Sequence, residues 1–409
     1  MINAITLLGS SSGRNAGDAA LLSGIMSSID SAVGSRLLYE IPTSRPSFIL
    51  HNYPGCRVKP ISMQPWHMSL RMLGLPTYNS IKRTDLTLVF DAILFDRALF
   101  NPLFNFLSSL YVLIPAAKRQ GKKMGCFNVS AGPVSSKWGK KMLRCVCQAM
   151  DFITVRDLNS LRLLKEVGVD NPNIIVTADA ALNVLPANEE QMRRLLAESG
   201  LDSKREILGI NVSAYIDSWA STGRSPMGKQ KFISVYSKAL NRAAQQIGAN
   251  LLFVCTQHHD IPLTKELMQA VETTLPKALI TNRECNHHEL KGLLGQVSLL
   301  FAMRLHAVIL ACSSFTPTIA LPHQPKVVHF LDTLGLAEWA LSFADFSEEA
   351  LVTHILKGWE QRASIQETLR CTIPREQQKA ASAAQLVAAL HKGESLSQAL
   401  KRLSTQEPQ

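Results

Sequence analysis

The chain has 409 residues, of which 46% are hydrophobic and 18% charged. That composition excludes a largely disordered protein and provides enough apolar material for two cores. Its formal net charge of +11 calls for an anionic partner, but the basic residues fall in short groups such as Lys118-Arg119 and Lys140-Lys141. No aromatic-rich RNA motif or DNA-reading unit accompanies them, which sets nucleic acid aside in favour of an anionic substrate or an anionic membrane surface.

Met1–Leu8 shows no basic segment followed by an apolar run, so no secretory signal and a cytoplasmic location are expected. The eight cysteines include no CxxC pair, and reduced, mostly buried thiols are expected.

In chain order, short apolar runs alternate with longer amphipathic ones, the signature of strand–helix repeats on a mainly parallel sheet. Ala4–Leu8 reads as a strand, Gly9–Asp18 as a turn and Ala19–Ile29 as a helix. Strands follow at Leu86–Phe90, Lys123–Ser130, Phe152–Val155 and Ile174–Thr177, with helices at Lys140–Met150 and Leu158–Val167. Between the second and third strands, Ala98–Ala117 carries no charge and is close to membrane-spanning length. Asn101, Pro102, Asn105 and Pro115 interrupt it, so it is read as a buried helix, with peripheral membrane contact as the second choice.

Glu189–Ser199 reads as a polar linking helix. Strands are then expected at Ile207–Val212, Asn250–Val254, Ala278–Thr281, Ser298–Phe301 and Thr318–Leu321, with helices such as Lys231–Ile247 and Leu290–Leu294 between them. Residues 338–409 form a helical tail that Pro374 is expected to break. The fold class is therefore α/β: two doubly wound, Rossmann-like domains (1–186 and 205–337) facing a central cleft, followed by the tail. Ligands in such sheets bind at the carboxyl ends of strands.

Three strand-to-helix junctions carry chemistry. Gly9–Asp18 offers glycines, a helix start with open N–H groups and Asp18 as an N-cap, a site for an anion or polar ligand. It matches neither the GxxxxGK[ST] nor the GxGxxG spacing. At Arg304-Leu305-His306, a cation and a titratable imidazole stand two residues apart at a helix start, suited to a phosphate. At Arg156-Asp157, the arginine faces a ligand or the aspartate caps the helix and pairs with it; the sequence leaves both open. His258-His259 and His287-His288 lack carboxylates or cysteines at ligand spacing and are read as loop residues, so no metal site is expected.

Taken together, these junctions resemble the polysaccharide pyruvyl transferase family. Asn15-Ala16-Gly17-Asp18 looks like its opening turn, and Ile153-Thr-Val-Arg156-Asp157 with Ser160 and Gly168-Val169 like its central block. Asp179-Ala180-Ala181 stands where the family often has an Asp-Pro-containing turn. Met303-Arg304-Leu305-His306-Ala307 with Pro317, Ala320 and Lys326 looks like its signature. Two loops depart from the pattern: Val89-Phe90-Asp91-Ala92-Ile93 lacks the usual glycine triplet, and Asn128-Val-Ser130-Ala131 replaces a glycine-rich turn.

The resemblance implies a GT-B-like fold with phosphoenolpyruvate as donor and no further cofactor. A sugar, free, polymeric or lipid-linked, would be the acceptor and a pyruvate ketal the product. For such a donor, His306 is expected as general acid and Asp18 as base or orienting group, with Arg304, Arg156, Asn15 and Gly17 binding substrate. A sugar-nucleotide glycosyltransferase of the same architecture, or a non-catalytic anion-binding member, are the alternatives.

Overall fold

The computed structural model describes residues 1–63, 74–101, 105–214 and 228–405. It divides into two compact units. One contains Met1–Gly13, Asp18–Asn183 and Glu376–Gln409, and the other Arg14–Gly17 and Val184–Arg375.

The first unit is built on seven parallel strands: β1 (Ala4–Leu8), β2 (Leu38–Thr43), β3 (Arg57–Ser62), β4 (Leu86–Phe90), β5 (Lys123–Val129), β6 (Phe152–Val155) and β7 (Ile174–Val176). Their order is β3-β2-β1-β4-β5-β6-β7. β4 is wholly buried and β1 nearly so, which is why both are unbroken apolar runs and not alternating ones. The order reverses between β1 and β4, where Leu7 pairs with Leu88, and such a reversal opens a crevice at the carboxyl ends. The sequence reading missed β2 and β3. Pro42 and Pro60 sit inside them, and a proline argues against a strand until the edge position of β3 is known.

Six helices cross between these strands: α1 (Ala16–Val33), α2 (Pro46–Asn52), α3 (Leu75–Arg83), α4 (Phe106–Lys118), α5 (Lys137–Gln148) and α6 (Leu158–Glu166). Within the uncharged stretch 98–117, α4 begins at Phe106. Buried Asn105 caps α4 by accepting a hydrogen bond from the Ser108 amide at 3.2 Å, and residues 102–104 lie outside the described residues. Phe106, Leu110 and Ile114 join Val89, Cys126 and Leu143 in one core. Among the described residues no helix is long and apolar enough to cross a membrane.

The second unit carries β8 (Ile207–Asn211), β9 (Asn250–Cys255), β10 (Lys277–Thr281), β11 (Leu299–Ala302) and β12 (Thr318–Ala320) in the parallel order β10-β9-β8-β11-β12. Its helices are α7 (Glu189–Glu198), α8 (Lys229–Ile247), α9 (Ile261–Ala270), α10 (His287–Leu294), α11 (Leu305–Cys312), α12 (Pro325–Thr333) and α13 (Glu348–Glu360). Here the order reverses between β8 and β11. His258-His259 and His287-His288, expected in loops, instead occupy a 3-10 turn after β9 and the first turn of α10.

Residues 338–409 divide between the units. α13 packs beside α8, and its Gly358 lies against Ile319 of β12. The next helix, α14 (Arg362–Lys392), is followed by α15 (Leu396–Thr405). α14 is not broken at Pro374 but runs through it, at the cost of one i→i−4 hydrogen bond. From Glu376 onward it belongs to the first unit, where the Ala380 carbonyl accepts a bond from Asn128 at 2.9 Å and Gln377 bonds the Leu182 carbonyl at 3.0 Å.

Candidate functional site

The carboxyl ends of four strands in the second unit converge on one arginine. Asn211 ends β8 fully buried; its side chain donates to the Val254 carbonyl at 2.9 Å and accepts the Arg304 amide at 3.1 Å. The turn after β9 supplies Asp260, fully buried, whose carboxylate takes Arg304 Nε at 2.8 Å and Nη2 at 2.5 Å. The same carboxylate accepts the Ala214 amide at 2.9 Å. Arg304 follows β11 and stands at the N-cap of α11 with an extended backbone, making no capping bond with its side chain. A two-bonded guanidinium–carboxylate fork fixes the plane of the arginine, and the helix start behind it favours an anion.

After β12 comes His323, 6% exposed. Its Nδ1 lies 2.9 Å from the Met303 carbonyl; a carbonyl only accepts, so Nδ1 carries the proton and Nε2 is left as an acceptor. Nε2 is buried and meets no hydrogen-bond partner among the described residues. Burial first, and the Arg304 charge second, push the His323 pKa down to about 4, so the ring is neutral at physiological pH.

His306 occupies the first turn of α11 and is half-buried. The opening turn is seated on this ring. Ala16 donates to the Thr256 carbonyl at 2.8 Å, the His258 amide to the Arg14 carbonyl at 2.9 Å, and Asn15 forms an isolated bridge with Gln257. Gly17 lies flat against the His306 imidazole, and any side chain at 17 would overlap that ring. Glycine is required here for approach, not for backbone angle. Asn15, not Asp18, plays the cap: its Oδ1 accepts the Gly17 amide at 3.0 Å. α1 begins three residues earlier than expected and Asp18 sits in its first turn, where a carboxylate favours the helix dipole.

The structure thus brings Arg304, His306, Asn15 and Gly17 into one unit. Arg156 and Asp18 belong to the other. Arg156 follows β6 and is 6% exposed, paired at 2.6 Å with Asp179, itself 5% exposed. Burial pulls its pKa down, but the charges of Asp179, Asp91 and Asp157 outweigh that and leave the guanidinium more firmly protonated. Asp157 caps α6 by accepting the Ser160 amide at 2.7 Å. Its capping role is as the sequence suggested, but the partner of Arg156 is Asp179, not Asp157.

The two glycine-poor loops keep glycine-like backbones. Asp91 has φ 70° and Asn128 φ 49°, and Asp and Asn are the side chains that tolerate this region best. Asn128 is held there by hydrogen bonds from Thr154 at 3.0 Å and Thr177 at 2.7 Å.

Sequence reasoning missed Asn211, Asp260 and His323. Each lies at or just after a strand's carboxyl end, which is the signal that would have found them.

Comparison with known proteins agrees with this architecture. UDP-GlcNAc 2-epimerase from Neisseria meningitidis, solved with UDP-GlcNAc bound, superposes with a TM-score of 0.63 at 12% identity, covering 96% of this chain and 100% of the epimerase. HepE from Anabaena, solved with UDP and glucose, gives 0.55 at 12% identity over 99% of both chains. ADP-heptose LPS heptosyltransferase II from E. coli gives 0.51 at 12% identity, covering 88% and 100%. These likenesses establish the GT-B-type α/β fold with a helical C-terminal region. The model of one family matches residues 15–325, from the capping asparagine of the opening turn through Arg304, His306 and His323. The chain belongs to the polysaccharide pyruvyl transferase family.

Proposed function

We propose that this protein transfers pyruvate from phosphoenolpyruvate to a sugar of a polysaccharide or its precursor, forming a pyruvate ketal and releasing phosphate. The observation that carries this reading is the seating of Asn15-Ala16-Gly17 on His306, beside an arginine held by buried Asp260. Two segments almost 300 residues apart, both within the family match, form one surface.

In this reading Arg304 faces the donor's phosphate or carboxylate, with Asp260 fixing the plane of its fork. His306 protonates the methylene carbon of the enol, turning it into the methyl group of the ketal. The carbon left electron-poor is attacked by two hydroxyls of one sugar in turn. Of the two hydroxyl protons, one replaces that given by His306 and the other leaves with the phosphate. Asp18 serves as base or orienting group for a hydroxyl. Arg156, enclosed by carboxylates, acts on substrate through the β6–α6 junction that it holds. No cofactor beyond the donor is invoked. A lipid-linked acceptor would bring the enzyme to the inner face of a membrane.

A second reading has one observation in its favour: structural neighbours bind UDP-sugars, so a nucleotide sugar is the alternative donor. A thermal-shift series separates the two, because a ligand that binds only the native state raises the melting temperature. Stabilisation by phosphoenolpyruvate, lost in Arg304→Ala, supports pyruvyl transfer. Stabilisation by UDP-sugars alone moves the assignment to glycosyl transfer, and silence from both sets favours a non-catalytic member.

A further inference from the structure

The chain's positive charge is not spread evenly. Residues 75–170 hold 14 Lys and Arg against 7 Asp and Glu, so this quarter of the sequence supplies more than half of the net +11. Strands β4 to β7 step across the sheet in one direction, so right-handed crossovers place α4, α5 and α6 side by side on one face. α4 packs beside α5, and α5 beside α6.

The outward faces of these helices repeat one pattern. On α5, exposed Trp138 is followed at three-residue steps by exposed Lys141 and Arg144, and the Lys141 ammonium lies 4.9 Å from the indole centroid. On α6, exposed Leu158 is followed by Arg162 and Lys165, four and seven residues on. On α4, exposed Val112 is followed seven residues later by Arg119 at the C-cap. These spacings keep each set on one helix face. Phe100, 70% exposed, stands just before α4. Of the eight large apolar side chains exposed among the described residues, four (Phe100, Val112, Trp138, Leu158) belong to this one layer. The acid exposed on the α6 face, Glu166, is bridged to Lys140 at 3.2 Å.

We infer that the outer face of the α4–α5–α6 layer docks on an anionic lipid bilayer. On each helix an exposed apolar side chain is followed on the same face by cations: Trp138 and Leu158 stand in the first turns of α5 and α6, and Val112 at the middle of α4. The layer therefore interleaves apolar side chains with cations on one face. Trp and Leu at headgroup depth, with Lys and Arg against lipid phosphates, is the chemistry of an interfacial contact. A soluble acidic partner would use the cations but gives no reason for the apolar side chains among them. Apart from Val112, the uncharged run of α4 contributes little, since Phe106, Leu107, Leu110, Leu113 and Ile114 are buried.

The test is flotation of the purified full-length chain with phosphatidylcholine vesicles, with and without phosphatidylglycerol, at low and high salt. Binding is expected only with phosphatidylglycerol and is expected to weaken as salt screens the cations. Lys141→Glu combined with Arg144→Glu should lower the vesicle affinity by at least about 25-fold, at roughly fivefold per cation removed. Trp138→Ala should lower it roughly tenfold. All three side chains are exposed, so the melting temperatures should stay at the parent value. No flotation with anionic vesicles, or equal flotation of the doubly reversed variant, overturns the inference. Capture by soluble polyglutamate without vesicle binding also overturns it and makes the face a site for an acidic polymer. Flotation needs neither donor nor acceptor, so its failure and a failure of the pyruvyl transfer assay on a soluble saccharide are read separately.

Discussion

Two buried Arg–Asp pairs stand at equivalent strand-to-helix junctions, Arg156–Asp179 after β6 and Arg304–Asp260 after β11, yet their surroundings differ. Around Arg156 the charge is overcompensated: Asp179 bonds it, and Asp91 and Asp157 add their fields. Around Arg304, the buried Asp260 carboxylate takes the guanidinium in a two-bonded fork, and His323, whose pKa that cation helps to lower, is held neutral. A cation in the field of three carboxylates has little field left for an anionic ligand, whereas the helix start behind Arg304 adds a partial positive charge that favours an anion. The same residue pair thus stands in two electrostatic settings, one crowded by carboxylates and one at a helix start.

The largest effect that would sharpen this contrast is on stability. Asp260→Ala removes the buried carboxylate that takes Arg304 in a two-bonded fork and should cost about 3–5 kcal/mol. Asp179→Ala leaves Arg156 with Asp91 and Asp157 and should cost clearly less. Denaturant titration of both variants checks the order, and equal losses would break the comparison. On activity the ranking reverses in kind. Arg304→Lys, which loses the fork, should lower phosphoenolpyruvate-dependent turnover about a hundredfold, the range seen when a positioned electrostatic group is lost. Arg156→Lys should act mainly on the melting temperature.

Gly17→Ala is a smaller perturbation aimed at His306. The added methyl must displace the imidazole, and a fall of roughly tenfold to a hundredfold in kcat is expected from misplacement alone. Wild-type kcat in that variant would separate the opening turn from the chemistry.

The smallest effect is in pH dependence. His323 has a native pKa of about 4 against an ordinary 6.5, so between these values the unfolded chain binds the extra proton. Its contribution is fully present above pH 6.5 and is lost as pH falls toward 4, on the order of 3 kcal/mol. His287, pushed down to about 3 by burial and then by His288, acts in the same sense. His323→Gln should flatten the acid limb of the melting-temperature profile, and an unchanged limb would show that the imidazole is not held neutral.

Much of this was legible in the residues. Unbroken apolar runs give the central strands, because a strand buried on both faces has no room for alternation, and the expected bounds of β1 and β4 match the observed ones. Asn15–Asp18 and Met303–Ala307 are local motifs read without any tertiary knowledge. β2 and β3 were hidden because Pro42 and Pro60 are tolerated only in context. Asp260 and His323 were hidden for another reason: they lie 44 residues before and 19 after Arg304, and no local pattern marks one side chain as another's partner.

The sequence by itself determined the alternation of strands and helices, the family, and the chemical types at each junction, since periodicity and motif spacing are local properties. Tertiary structure alone decided which charges meet. Only parallel pairing of β8 with β9 and β11 lets Asp260 reach Arg304, and only the docking of the opening turn shows why position 17 has no side chain. The glycine-poor loops make the same point. The family pattern places glycines there, but Asp91 and Asn128 hold the left-handed backbone, Asn128 through hydrogen bonds that exist only after folding.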